Sequence, residues 1–292
     1  MSQSPTPRLI LETLFPFLKV AAAYAHQIQS RIAAHPSKEA DNFFAAALSD
    51  ADLSIQTMME VALLGSFPNI RFYGEEHEKT YNTKYFRSIE LGPEGDYLVT
   101  LDPIDGTRFY LDGHSNYQII LTVLNWDEFE AVITLLPAQN TFIYALRGQG
   151  AFQGSLEGGL ENAQPLQLGE TKPTILLGWG LASLVPQLTD HYQVIDVTTH
   201  YSQEMQIPNF SGLMNGDLSG AVLRGGNFID GAALAFIAQE MGFLVTDLAG
   251  NPPPPLHACT DYRRTGLLVA ASPTVHQYLV EAVRKAAIGP AV

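Results

Sequence analysis

The string Asp102-Pro103-Ile104-Asp105-Gly106-Thr107 constrains the fold more than any other part of the chain. It follows Tyr97-Leu98-Val99-Thr100-Leu101, a β-prone and mostly apolar run, so its two carboxylates sit where a buried strand ends. Pro103 stiffens the backbone between them, and Gly106 lets the chain turn close to whatever the carboxylates hold. Clustered oxygen ligands of this kind suit a hard divalent cation, and the amides of Gly106 and Thr107 suit a phosphate. Taken alone, Asp-x-x-Asp-Gly is more often a simple turn. A helix-loop-helix calcium loop fails here. Its third and fifth positions would be Ile104 and Gly106, and Gly113 would stand where a bidentate Glu belongs.

The flanking sequence reads as helices first. Residues 8 to about 34 are rich in Ala and Leu with one internal Pro16, which predicts one long helix or two short ones. Ser49 or Asp50 can cap a second helix, with Ile55, Met58, Met59, Ala62 and Leu63 as its apolar stripe and Gly65 and Pro68 as its end. A strand at Ile70–Tyr73 then runs into Gly74-Glu75-Glu76. Strand signals recur at 97–102, 118–125, 130–137, 141–147 and near 151, with turns at Pro137–Asn140 and Gly148–Gly150, which is the pattern of an antiparallel meander. The Gly- and Pro-rich stretch 154–172 is a candidate boundary, dividing residues 1–160 from 161–292. Beyond it, strands near 174–179, 192–197, 219–223, 243–247 and 265–271 alternate with helical segments. Asn251–Pro255 reads as an extended spacer.

Composition narrows the function classes. Sixteen basic against thirty acidic side chains give a formal charge of −14, which argues against a nucleic-acid polymer as partner. Small anionic substrates remain open if bound metal reverses the sign locally. One cysteine, Cys259, allows no internal disulfide and is read as a small buried or half-exposed side chain. The polar start lacks the basic region and apolar core of a signal peptide, and the longest apolar runs are strand-length, so no membrane partner and a cytoplasmic location are expected.

The last third adds one more acid. Asp230 opens the helical run Gly231–Glu240, whose buried face is expected to be Ile229, Ala233, Phe236 and Ile237. On its own Asp230 reads best as a helix cap, as does Asp52 near the start of the second helix.

In order along the chain, these pieces resemble the inositol monophosphatase family of metal-dependent sugar phosphatases. The likeness runs through Ser49–Asp52, Phe67-Pro68, Gly74-Glu75-Glu76, the string at 102–107, Gly148–Phe152, Asp230–Ala233, Gly242, Thr246-Asp247 and Gly250. It implies an α/β (α+β) fold, a layered α-β-α-β-α sandwich with an antiparallel N-terminal sheet and a mixed C-terminal sheet. Two or three Mg²⁺ ions are implied as cofactor. Glu75, Asp102 and the Ile104 carbonyl would hold one ion, and Asp102, Asp105 and Asp230 a second. Glu75 and Thr107 would orient the attacking water, with Asp52 supporting Thr107. Asp105 and the amides of Gly106 and Thr107 would face the phosphate. Glu76 is a neighbour of the metal site by the same resemblance.

The chemistry agrees with the residue types. Hydrolysis of a phosphate monoester needs charge neutralised on the equatorial oxygens and water lined up opposite the leaving oxygen. Four carboxylates close together without cations would repel strongly. The expected partner is a small phosphorylated metabolite, and a homodimer is implied only because family members often dimerise. The departures concern substrate: Leu223 replaces a Glu that contacts ring hydroxyls, Ile229 replaces a Trp, and Arg108-Phe109-Tyr110 replaces an Asn-Phe pair. Arg108 therefore keeps histidinol phosphate and adenosine 3′(2′),5′-bisphosphate open as substrates, alongside its reading as a solvated surface residue. A catalytically silent relative that binds a metabolite or partner chain is the alternative of a different class. His77, His114, His257 and the Arg263-Arg264 pair read as ordinary surface or hydrogen-bonded groups.

Overall fold

The structure is a computed structural model that describes residues 5–32, 49–76 and 97–288. Thr6 opens α1 (Pro7–Ile28) by accepting the Leu9 amide at 3.2 Å, and Pro7 sits where an unpaired amide would otherwise be. Pro16 lies inside α1 without ending it. It sits on the exposed side, where solvent can satisfy the carbonyl that its missing N–H leaves over. The long helix of the sequence reading is thus one helix, ending earlier than residue 34 and followed by a 3-10 turn at Gln29–Arg31. Its inner face, Ile10, Leu11, Leu14, Phe15, Leu18, Ala21, Ala22 and Ala25, is buried in a core. Among the described residues this is a helix long and apolar enough to cross a membrane, yet that face packs inside the protein.

Ser49, rather than Asp50, caps α2 (Asp50–Ser66), and Asp52 returns the bond to the Ser49 amide in a capping box. Ile55, Met59, Ala62 and Leu63 are buried as expected, while Met58 is half-buried. A second buried line, Asp52, Gln56 and Glu60, runs beside them at four-residue spacing. That line is polar, and it faces the site.

The chain divides into two compact units, Met1–Arg147 with Phe152–Pro165, and Gly148–Ala151 with Leu166–Val292. A sheet in chain order carries the first: β1 (Arg71–Gly74), β2 (Leu98–Asp105), β3 (Gln118–Leu124), β4 (Phe129–Leu136), β5 (Thr141–Leu146), β6 (Gly150–Ser155) and β7 (Gln164–Leu166). The meander from β2 to β5 is antiparallel, as the recurrent short strands predict. Two features differ from the sequence reading. β1 joins the edge of β2 in parallel, and β7 forms inside the stretch read as a boundary. A short helix, α3 (Thr107–Leu111), leaves the end of β2.

The second unit has a mixed five-stranded sheet. Its parallel part is β8 (Thr174–Leu177), β9 (Gln193–Asp196) and β10 (Gly220–Leu223), with the short helices α4 (Val185–Leu188) and α5 (Val197–His200) between strands. A small ribbon, β11 (Gly226–Asn227), follows β10 and leads to α6 (Gly231–Met241) and β12 (Leu244–Thr246). β13 (Arg263–Arg264) pairs with β11, and β14 (Leu267–Ala270) runs antiparallel to both β10 and β12. α7 (Pro273–Lys285), capped by Ser272, closes the unit over β14. Every residue of α6 from Ala232 to Ala238 is buried, so it has no single apolar face; its Ala content lets neighbours approach from all sides.

Candidate active site

The site begins with a bulge in β2. Asp102 faces Ile120 and Asp105 faces Gln118, so β2 carries one residue more than β3 over this interval. Pro103 falls inside the bulge, where no ladder hydrogen bond is asked of it. The extra residue keeps both acids at one strand end. The Ile104 amide donates to Asp102 Oδ1 at 3.1 Å, and Asp102 is 3% exposed.

Gly106 then turns the chain at φ +84° and opens α3. A Cβ there would be strained by that φ and would lie 3.3 Å from the Asn116 carbonyl, so glycine is required. Thr107, buried behind it, places its hydroxyl 2.9 Å from the Ile104 carbonyl and 3.2 Å from Asp52 Oδ1. α3 is anchored through the residues that depart from the family pattern. The Tyr110 hydroxyl donates to the Ala25 carbonyl at 2.8 Å, and Gln29 Nε2 donates to the carbonyls of Tyr110 and His114. Arg108, on the same turn, is half-buried.

Asp52 is fully buried. Burial raises its pKa from 3.8 to about 7; hydrogen bonds from the Ser49 hydroxyl and amide oppose the shift, and the charges of Glu75 and Glu76 add to it. Glu75 follows β1, its amide donating to the Leu101 carbonyl at 3.0 Å. The Glu76 amide donates to Gln56 Oε1 at 2.8 Å, and Gln56 Nε2 donates to Glu60 at 3.0 Å. The Gln56 amide lies against Gly74, where a Cβ would come within 2.3 Å of Oε1, so a side chain at 74 would displace it. Asp105 is held in turn: Gln118 Nε2 donates to its Oδ2 at 2.6 Å, and the Thr134 hydroxyl donates to Gln118 Oε1 at 2.8 Å.

The first unit therefore joins Asp52, Asp102, Ile104 and Thr107 in one hydrogen-bonded network within reach of the Glu75 and Glu76 charges, with Asp105 next to it. Its ligating groups are all oxygens, and burial, with a smaller contribution from the Glu75 and Glu76 charges, holds a proton on Asp52 up to about pH 7. An all-oxygen set suits a hard dication. Among the described residues, no three His, Cys, Asp or Glu side chains are gathered as a set able to hold an ion. Asp230 belongs to the second unit. It is the N-cap of α6, as its cap reading expects, its Oδ1 accepting the Gly231 amide and its Oδ2 accepting Asn227 Nδ2 at 2.9 Å.

The other candidates are structural in what they touch. The His114 ring lies tilted against Phe109 at 5.9 Å, and His257 is exposed on a 3-10 turn. His77 lies outside the described residues. The Arg264 guanidinium donates to the Pro254 carbonyl, which ties the proline loop to β13. Cys259 is half-buried, and burial raises its thiol pKa against the opposing charge of Arg264. Sequence reasoning missed Gln56, Glu60, Gln118 and Thr134. The signal was present for Gln56, four residues from Asp52 on a capped helix, and for Gln118, the polar first residue of a mostly apolar strand.

A family model described as the inositol monophosphatase family matches residues 12–287. A Neisseria meningitidis protein named putative Nus factor SuhB is 26% identical over 239 residues, 78% of this chain and 80% of that protein. A Mycobacterium tuberculosis protein named probable inositol 1-monophosphatase ImpA is 27% identical over 244 residues, 80% of each. The solved structure of a Thermotoga maritima IMPase superposes with a TM-score of 0.70 at 18% identity, covering 95% of this chain and 98% of that one, a likeness of fold.

Proposed function

Because the chain belongs to the inositol monophosphatase family, we propose that it hydrolyses the phosphate monoester of a small metabolite with Mg²⁺ as cofactor. The observation that carries this reading is the buried network from Asp52 through Thr107 to Ile104, set beside Asp102 at the bulge. Glu75, Asp102, the Ile104 carbonyl, Asp105 and Asp230 are the oxygen donors that would hold two or three Mg²⁺ ions. Bound there, the ions would lower the pKa of water and neutralise phosphate and leaving-group charge.

The chain's own residues supply the rest. The Thr107 hydroxyl has one proton and two acceptors, the Ile104 carbonyl and Asp52. A neutral Asp52 can donate to Thr107, which then donates to Ile104; an ionised Asp52 draws the Thr107 proton to itself. Asp52 thereby sets which way the Thr107 hydroxyl points, and whether one or both of its lone pairs remain to accept a hydrogen bond from a water that Glu75 would also orient. Gly106 and Thr107 present amides to the phosphate at the start of α3. Gln118 holds the Asp105 carboxylate in place through its Oδ2.

Phosphate release over a metabolite panel with and without Mg²⁺ tests the proposal, with histidinol phosphate and adenosine 3′,5′-bisphosphate on that panel. Asp102→Asn is expected to lower turnover by a factor of about 10³ or more while circular dichroism stays unchanged, since it removes a charge shared by two ions. Undiminished turnover would refute the assignment. A second reading, a silent regulator that binds a partner chain, draws support from the relative named a putative Nus factor. It predicts no Mg²⁺-dependent release from any panel member.

A further inference from the structure

Gln56 has no outlet to water: it is fully buried on α2, four residues after Asp52 and four before Glu60. A buried side-chain amide destabilises a fold unless both of its ends are paired. Here the two ends have different partners. The Glu76 backbone amide can only donate, so it selects the Gln56 oxygen at 2.8 Å, and the Gln56 nitrogen is left to donate to Glu60 Oε1 at 3.0 Å. Glu60 is itself buried, burial raises its pKa, and its Oε2 has no hydrogen-bond partner among the described residues. What the Glu60 carboxyl does on α2 is accept from Gln56. That bond fixes which way round the Gln56 amide stands.

The end of β1 is shaped to receive this amide. A Cβ at Gly74 would lie 2.3 Å from Gln56 Oε1, 2.4 Å from its Cδ and 2.9 Å from its Nε2. Gly74 does not have a positive φ, so close approach rather than backbone conformation asks for glycine there. Glu75, between Gly74 and Glu76, is thereby held from both sides. Its own amide donates to the Leu101 carbonyl of β2 at 3.0 Å, and the next amide donates to Gln56 of α2. Leu101 directly precedes Asp102, so the strand that carries Asp102 also anchors Glu75.

We propose that Gln56, oriented by Glu60, is the positioning residue for Glu75, fixing the turn after β1 so that the Glu75 carboxylate stands in place for a dication before one binds. This rests on the Mg²⁺-dependent reading of the site and adds to it two residues that need not touch the ion. The physical reason is repulsion. Asp52 lies within the field of Glu75 and Glu76, and without a cation like charges gain by moving apart. A turn released from Gln56 is free to make that movement, and an incoming ion must then reverse it at a cost in affinity. The tether imposes the arrangement during folding instead.

Amide hydrogen exchange in EDTA, resolved by NMR, reads the tether without metal or turnover, and calorimetry with Mg²⁺ reads its consequence. In Gln56→Met the Glu76 amide should lose its protection while the amides of β2 and β3 keep theirs. The Mg²⁺ dissociation constant should rise roughly ten- to hundredfold. In turnover, the Mg²⁺ concentration for half-maximal rate should rise by a larger factor than kcat at saturating Mg²⁺ falls. The exchanged pair, Gln56→Glu with Glu60→Gln, keeps both bonds, because a carboxylate at 56 accepts from the Glu76 amide and from an amide side chain at 60. It should restore both protection and affinity. Gly74→Ala leaves α2 untouched but displaces the amide, so it should reproduce both losses and serves if Gln56→Met does not fold. Unchanged Mg²⁺ affinity in a folded variant whose Glu76 amide has lost protection would overturn the proposal, as would an unprotected Glu76 amide in the wild type. Weakened Mg²⁺ binding that the exchanged pair rescues, in a protein that releases phosphate from no substrate, would uphold the positioning role and overturn the phosphatase reading. A wild type that binds no Mg²⁺ would overturn both.

Discussion

Asp52→Asn in the metal-free protein should abolish much of the pH dependence of stability. Asp52 is fully buried, its pKa is raised from 3.8 to about 7, and burial is the largest cause. The folded state thus keeps a proton that the unfolded chain surrenders, so this group's contribution is most favourable below about pH 4 and is lost as pH rises through 7. At about 1.4 kcal/mol per pH unit, the loss is roughly 4 kcal/mol in all, of which about 3 kcal/mol falls between pH 5 and pH 8. Asn mimics the protonated acid. Its carbonyl oxygen can accept the Ser49 amide and hydroxyl, and its Nδ2 can donate to Thr107, whose own proton goes to the Ile104 carbonyl. Urea titrations in EDTA, followed by circular dichroism at pH 5 and pH 8, measure the effect. The wild type should lose about 3 kcal/mol more than Asp52→Asn over that interval. Parallel pH profiles for the two proteins would refute the account of Asp52 as a proton-holding acid. Mg²⁺ should shrink the wild-type loss only in part, because the Glu75 and Glu76 charges add less than burial does.

The parts of this fold that could be read from the sequence are those whose cause is local. β3 and β4 announce themselves because each is a mostly apolar run of strand length, and α2 because a capping residue at 49 or 50 precedes an apolar stripe at helical spacing. The parallel partner of β1 was not readable, since its choice depends on where β2 lies and no local residue specifies it. The line of Asp52, Gln56 and Glu60 was missed for a related reason. In a string of letters a buried polar stripe looks like the solvated side of a helix, and only the Glu76 amide and the Gly74 backbone beside Gln56 show otherwise. The string at 102–107 was read correctly as a strand end, but whether Pro103 made a turn or a bulge depended on the Ile120 and Gln118 register. Asp230 fits the cap reading in its local contacts. Its place in a metal shell stands on family membership and awaits experiment.

Two substitutions test the scaffold that carries the site. Gly106→Ala forces a side chain to φ +84° and against the Asn116 carbonyl, and it should cost about 1–2 kcal/mol in the urea titration. It should also slow phosphate release, because the Thr107 amide moves with the turn; wild-type stability and rate together would refute the requirement for glycine. Gln118→Leu withdraws the 2.6 Å bond to Asp105 and leaves the buried Thr134 hydroxyl without its acceptor, for a loss of about 1–3 kcal/mol and weaker Mg²⁺ binding by calorimetry. Adding Thr134→Val removes the stranded hydroxyl, so stability should recover while Mg²⁺ binding does not; recovery of both would mean that Gln118 only fills space and does not aim the Asp105 carboxylate.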